Sequence, residues 1–400
     1  MPKHYNYIII GSGIIGMTLA RELRRRRPDT AILIIDKEYH AGYHASSRNS
    51  GVLHAGFYYT ANSLKARLTV TGNRMMKAFC REHGLTLNEC GKLVVARDEA
   101  ERQTLHELER RGKVNGSDVT IISAQAAREI EPNVRTYQEA LWSPATASVD
   151  PAQVNDCLWR RLKEQKVEFA FETRYKGHEG QTIFTNRGGF SADRIINCAG
   201  LYAETIAQDY GFGTDYAMIP FKGLYLKYTK NTSDVRVNIY PVPNLRNPFL
   251  GVHFTKTVDG TIKIGPTAIP AFWKEQYGPW ENFSLKEMLR IAGEEARLFV
   301  RNSFGFRDLA IEEMKKYERD YFIKLAADMV QQIDPAGFTE FTKPGIRAQL
   351  LNIKTRALVT DFLIEGDAHS LHILNAVSPA YTCSLAFAEM VVDEYGLAAV

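Results

Sequence analysis

An α/β chain, α+β overall, is what this sequence predicts: a domain of parallel strands and crossover helices interleaved with a domain built on an antiparallel sheet. Three observations carry the prediction. A glycine-rich turn, Gly11-Ser-Gly-Ile-Ile-Gly16, stands between an apolar run and a helical pattern near the start. Apolar strands ending in small-residue turns return at 150–215 and again near the C-terminal end. Between those stretches, residues 217–267 change to short alternating runs, which suit strands with one face on a core.

Taken in order, Tyr7 to Ile10 is sized for a buried parallel strand, and Met17 to Arg27 reads as the helix after the glycine turn. Pro28-Asp29 ends that helix, and Arg24 to Arg27 place positive charge on the negative end of its dipole. Ala31 to Ile35 is a second buried strand closed by Asp36, which completes a βαβ unit. The next segment, 44–59, is too rich in Ser, Asn and Gly for an ordinary core element. Residues 62–83 and 99–113 read as helices, with a strand at 92–96 between them. Pro151 suits the first turn of a helix reaching Glu164. Strands follow at 167–171, 182–185 and 194–200, then a helix from Tyr202.

The second domain begins with strands expected at 223–228, 235–240, 249–254 and 261–265. A mostly helical stretch, 285–333, is interrupted near 303–305. The chain closes with a strand at 371–375, a turn, and a helix over 383–394. The first domain is therefore expected to comprise 1–83, 145–215 and 345–400, and the second 84–144 and 216–344.

Composition bounds the function. Four hundred residues, 45% of them hydrophobic, support two domains with sizeable cores. Charged residues amount to 24% with both signs mixed, and the net charge of +4 is too mild to make nucleic acid a main partner, though it suits an anionic substrate. The five cysteines form no CxxC pair, so neither a metal site nor a disulfide framework is expected, and a reducing compartment fits. Glycines break the apolar start, and no run approaches the roughly 18 apolar residues that span a bilayer. A cytoplasmic protein is expected, at most peripheral on the inner face of the cell membrane. The segment 285–333 is the expected contact, because Leu289, Leu298, Phe299, Phe304 and Phe306 stand among many cations.

The chemistry starts at the glycine turn. Gly11 permits the tight turn, Gly13 lets the backbone approach a pyrophosphate, and Gly16 allows close helix–strand packing. The helix N-terminus would hold the pyrophosphate charge, and Asp36, twenty residues beyond Gly16, would accept from ribose hydroxyls. This pattern implies a dinucleotide and does not separate NAD from FAD.

The rest of the chain separates them by resemblance. Ala45-Ser-Ser-Arg-Asn-Ser-Gly-Val-Leu-His-Ala-Gly-Phe-Tyr-Tyr59 resembles the flavin-binding stretch of the D-amino-acid-oxidase-like flavoproteins, and Asn197-Cys-Ala-Gly-Leu201 resembles their returning flavin-domain strand. Tyr240 to Pro243, Pro248 to Thr255, Gly265 to Ala268, Lys343 to Arg347 and Asn375 to Ala380 narrow the likeness to members that oxidise a small anionic 2-hydroxy acid, L-2-hydroxyglutarate, to 2-oxoglutarate. The chain departs from the family pattern at Asp36, where Glu is commoner, at Thr267 and at Ala348.

The resemblance implies a Rossmann-type FAD-binding domain and an oxidoreductase passing electrons to quinone or oxygen. Ser46, Ser47, Asn49 and Ser50 would line the pyrophosphate and ribityl chain, and Ala199 and Gly200 would admit the adenine half. Ser378, Ala380 and Thr382 would bring a helix N-terminus to the flavin. Arg347 matches the carboxylate-binding arginine, and its guanidinium fork suits that anion. Oxidising a hydroxy acid also needs a base, and imidazole has a suitable range. His54, in the flavin stretch, and His253, on a substrate-domain strand, are both candidates; His253 is also a candidate substrate contact. Tyr240 and Lys222 are candidates for the distal carboxylate. Two other readings stay open: an amino-acid or sarcosine-like oxidase, and a non-catalytic protein of the same fold.

Overall fold

The computed structural model describes residues 3–243 and 249–398, so Pro248 lies outside the described residues. The chain divides into two compact units: residues 1–49, 151–220 and 347–400, and residues 50–150 with 221–346.

In the first unit the apolar runs become a mainly parallel sheet. Its order is Tyr175–Glu179, Thr182–Thr185, Gly188–Asn197, Lys3–Ile10, Ile32–Ile35, Glu168–Ala170. Lys3–Ile10 pairs in parallel with Ile32–Ile35 and with Gly188–Asn197, with Ile10 beside Ile35 and Asn197. The ten-residue strand serves three neighbours. Its first half takes Thr182–Thr185 in antiparallel register and its last residues take Ser370–Asn375 in parallel. Period-two alternation puts Ile8, Ile10, Leu33 and Ile35 in one core cluster with Ile183 and Ile195. The helix Ile14–Arg26 packs against Pro151–Glu164 and Ala380–Glu394, burying Met17, Leu19, Ala20 and Leu23.

The second unit holds an eight-stranded sheet among the described residues, in the order Phe338–Phe341, Leu226–Tyr228, Ile262–Gly265, His253–Lys256, Asn238–Pro241, Lys92–Val95, Glu139–Ser143, Thr120–Ser123. It is antiparallel as expected, except that Asn238–Pro241 runs parallel to Lys92–Val95. One face, bearing Leu93, Val95, Ile239, Phe254 and Ile264, packs on Phe322, Ile323 and Ala326 of the helix Arg319–Ala327. The other face carries Val94, Ala96, Tyr240 and Val242 against Leu105 and Leu108 of the helix Glu99–Val114.

Three expectations are corrected. Residues 50–83 and 145–150 were expected with the first domain, but they fall in the second unit, where Val52–Leu53 pairs with Ala147–Val149, which also pairs with Leu87–Asn88, while 216–220, expected with the second domain, fall in the first unit. The strand expected at 223–228 is two strands, Tyr216–Gly223 and Leu226–Tyr228. The break arises because the Thr267 hydroxyl accepts from the Leu224 N–H and donates to the Lys222 carbonyl, taking backbone groups out of a ladder. The strand expected from 235 starts only at Asn238, since the Glu131 carboxylate takes the N–H groups of Arg236 and Val237.

Candidate active site

The glycine turn of the first unit has the form a dinucleotide needs. Gly11 has φ +109°, and a Cβ there would lie 2.5 Å from the Cys198 carbonyl oxygen. A Cβ on Gly16 would lie 2.1 Å from the Gly11 carbonyl oxygen, so both positions demand glycine. No side chain caps the helix Ile14–Arg26 at Gly13, and its first turn holds no acid, which leaves N–H donors and the positive dipole end for an anion. Ser46 Oγ accepts from the Ile14 N–H at 2.9 Å and lies 3.1 Å from where a Gly13 Cβ would stand.

Asp36 is half-buried and already engaged. Its Oδ2 accepts from the Ser12 N–H and hydroxyl at 2.7 and 2.6 Å, and its Oδ1 from the Glu38 N–H at 2.9 Å. A carboxylate offers about four acceptor positions, so roughly one remains for a ribose hydroxyl. These donors and this acceptor fit FAD.

The other expected cofactor residues divide. Ala199 donates its N–H to Asn197 Oδ1, and Gly200, at φ +55°, opens a short 3₁₀ turn. Asn49 Nδ2 donates to the carbonyls of Ala45 and Ser46, and Ser47 Oγ accepts from Asn155 Nδ2, so both hold the loop. Ser50 begins the second unit and accepts from the Val52 N–H. Ser378 is exposed before the helix Ala380–Glu394, in which Ala380 and Thr382 are buried. That helix also lacks a side-chain cap.

The second unit brings Tyr240, His253 and His54 together. Strand alternation puts Phe254 in the apolar core, so His253 and Thr255 point to the opposite face with Lys92 and Tyr240. The His253 ring stacks on Tyr240 with centroids 3.6 Å apart and 17° between planes. His253 Nδ1 lies 2.8 Å from the Gly251 carbonyl, to which it donates a proton-bearing N–H. Burial first, then electrostatic repulsion from Lys92 and His253, holds the His54 imidazole well below the ordinary histidine range. The phenols of Tyr58 and Tyr240 are pushed up by burial, and neither hydroxyl meets a partner among the described residues.

Lys92 was not foreseen. It is fully buried, and burial lowers its ammonium to about 7. A signal existed in the sequence: Lys92 opens an otherwise apolar strand, KLVV, in which all four residues are buried.

Arg347 is half-buried on the strand Gly345–Asn352. Lys222 is buried beside Ile269 on its neighbour strand, and burial pulls its ammonium down.

A profile described as "FAD dependent oxidoreductase" matches residues 6–394. The mitochondrial L-2-hydroxyglutarate dehydrogenase of Nematostella vectensis is 35% identical over 98% of this chain and 90% of its own length. The L-2-hydroxyglutarate dehydrogenase of Escherichia coli K12 is 32% identical over 98% of this chain and 93% of its own. Among solved structures, the dithionite-reduced L-α-glycerophosphate oxidase of Mycoplasma pneumoniae, with FAD bound, has a TM-score of 0.77 at 20% identity. It covers 98% of this chain and 94% of its own, a likeness of fold.

Proposed function

The chain belongs to the FAD dependent oxidoreductase family, and on that premise we propose that it oxidises L-2-hydroxyglutarate to 2-oxoglutarate. The observation that carries the substrate is the near full-length similarity to L-2-hydroxyglutarate dehydrogenases at 31–35% identity. FAD is its cofactor, and bound beside the substrate it would supply the hydride acceptor for the carbon bearing the hydroxyl.

The residues of the chain supply the rest. Gly11, Gly13, Gly16, Asp36 and Ser46 would hold the dinucleotide, with Ala199, Gly200 and the helix start at Ala380 contributing to its site. Arg347 pairs with the C1 carboxylate of the substrate through its guanidinium fork. His54, kept unprotonated by its surroundings, accepts the hydroxyl proton as the carbonyl forms. His253 and Tyr240 orient the substrate, and Lys222 faces its distal carboxylate. Turnover with an artificial electron acceptor tests the proposal. 2-Oxoglutarate should form from L-2-hydroxyglutarate, with no ammonia from L-glutamate and neither formaldehyde nor methylamine from sarcosine. Faster turnover of either amine substrate contradicts it and favours the amino-acid oxidase.

The electrons pass to quinone in this reading, and the enzyme reaches it by peripheral contact from the cytoplasm. No helix among the described residues is long and apolar enough to cross a membrane. The helix Leu285–Arg301 and its successor Phe306–Lys315 expose Leu285, Leu289, Phe299, Val300, Ile311 and Met314. Leu298 and Phe306, expected on this surface, are instead in the core. Exposed Lys286, Arg290, Arg297 and Arg301 make the same surface complementary to anionic lipid. Retention on anionic liposomes at low salt, lost at high salt, is the expected result. Absence of binding at low salt contradicts it.

A further inference from the structure

The strand Gly188–Asn197 ends on Asn197, which the parallel register sets beside His372 of the strand Ser370–Asn375. Both side chains are fully buried. The Asn197 amide spans the short turn that follows it. Its Oδ1 accepts from the Ala199 N–H at 3.1 Å, and its Nδ2 donates to the Ala203 carbonyl at 2.8 Å. These two bonds fix which end of the amide carries hydrogen. The second Nδ2 hydrogen is then left for His372 Nδ1, 3.1 Å away, and that nitrogen must be the acceptor. His372 Nε2 carries the ring proton and donates it to Ser370 Oγ at 3.1 Å. Burial pushes the imidazole down to about 4, so Nδ1 keeps its lone pair at neutral pH. Asp367 works against that shift and His178 with it, while the rings of Tyr210 and Phe212 stand 5.0 and 5.3 Å from His372. Glu365, the cross-strand neighbour of His372, is engaged by the Gly213 N–H.

The turn that Asn197 clamps lies against the glycine turn. The Cys198 N–H donates to the Ile10 carbonyl at 2.8 Å, and the Cys198 carbonyl oxygen is the atom that forbids a Cβ on Gly11. A shift of 198–200 would therefore move the wall against which Gly11 turns. Ala199 is half-buried and Gly200 exposed, with open space where a Cβ on Gly200 would stand, so the turn has a face open to a ligand. We propose that His372 is a positioning residue for FAD: by accepting from Asn197 it locks the amide that clamps 199–203, and so sets how tightly the adenine half is held. This rests on the reading that Ala199 and Gly200 lie beside the cofactor. Without an acceptor at position 372, one buried N–H is unpaired in the clamped geometry, which favours arrangements in which the amide turns away.

The test compares full-length holoenzyme carrying His372→Leu, His372→Asn, Asn197→Ser or Ala199→Leu. Leucine and asparagine are close in size and both smaller than histidine, so they share whatever space is left. They differ in that the amide oxygen of asparagine can accept where Nδ1 did, and leucine cannot. Free-flavin fluorescence on serial dilution gives Kd for FAD. His372→Leu should raise Kd about fivefold or more, while His372→Asn should hold it within about twofold of wild type. At saturating FAD, amide hydrogen exchange at 199–203 should quicken in His372→Leu and not in His372→Asn. Asn197→Ser removes the clamp itself and should raise Kd at least as far as His372→Leu. An unmoved Kd there overturns the proposal, whether or not the leucine variant folds. Equal Kd in His372→Leu and His372→Asn also overturns it, since lost volume would then explain both. Ala199→Leu crowds the open face of the turn and should weaken FAD in its own right. If it does so while His372→Leu leaves Kd unmoved, the role of His372 alone falls. If Ala199→Leu leaves Kd unmoved, the turn is removed from the cofactor site and the proposal goes with it.

Discussion

Substituting Arg347 with alanine is expected to lower kcat/KM for L-2-hydroxyglutarate by about two to four decades. Arg347 is half-buried on the strand Gly345–Asn352. Removing it leaves a desolvated substrate carboxylate unpaired, at a cost of about 3–5 kcal/mol. Arg347→Lys should recover only part, since an ammonium is a point charge and cannot reproduce the two parallel hydrogen bonds of the fork. FAD content and melting temperature should change little in either variant. A structural ion pair makes the opposite demand: lost FAD and lost stability, with near-normal kcat/KM in the protein that still folds. Measuring FAD content, melting temperature and kinetics on one preparation separates the two.

Replacing His54 with glutamine should lower kcat by a factor of about 10²–10⁴, the usual contribution of a general base. The loss should be local. Asn73 Nδ2 donates to the backbone carbonyls of Leu53, His54 and Ala145 at 3.2, 3.1 and 3.1 Å, which holds the loop whatever side chain position 54 carries. FAD content should accordingly match wild type. The pH dependence carries a sign. A base at the ordinary value of 6.5 would lose activity as pH falls through 6.5. With His54 held well below that value, kcat/KM should stay level through 6.5 and fall only in more acid solution. His253→Gln should cost less and keep this profile, because its Nδ1 is committed to the Gly251 carbonyl and its ring to the Tyr240 stack. A larger loss at His253 than at His54 would transfer the role of base.

What the sequence made legible is what is local. Gly11, Gly13, Gly16 and Asp36 lie within one βαβ unit, and the constraints on them act between near neighbours: Gly16 against the Gly11 carbonyl, Ser12 on Asp36. What it hid depends on partners distant in the chain. Lys92 meets Tyr240 only because a parallel strand pairing sets Asn238 beside it, and a lysine at a strand start otherwise reads as a surface residue. The backbone of 236–237 looks like strand until Glu131, about a hundred residues earlier, takes its N–H groups. In the helical segment, spacing alone could not tell which apolar residues face inward. Leu298 sits one turn after Glu295 on the buried side, while Leu289 and Val300 face out. The family blocks pointed to the histidines, and the sheet sets His253 beside Tyr240 on one face of adjacent strands.

The central claim is that the carbon bearing the hydroxyl of L-2-hydroxyglutarate gives up a hydride in this active site. Anaerobic mixing of the FAD-loaded enzyme with single substrates, followed at the yellow absorption band, tests it without any electron acceptor. L-2-Hydroxyglutarate should bleach the flavin within the time of one turnover, with one equivalent of 2-oxoglutarate per flavin. D-2-Hydroxyglutarate, lactate, malate, L-glutamate and sarcosine should bleach it far more slowly or not at all. Flavin that stays yellow with L-2-hydroxyglutarate, or bleaches faster with any of the others, contradicts the account.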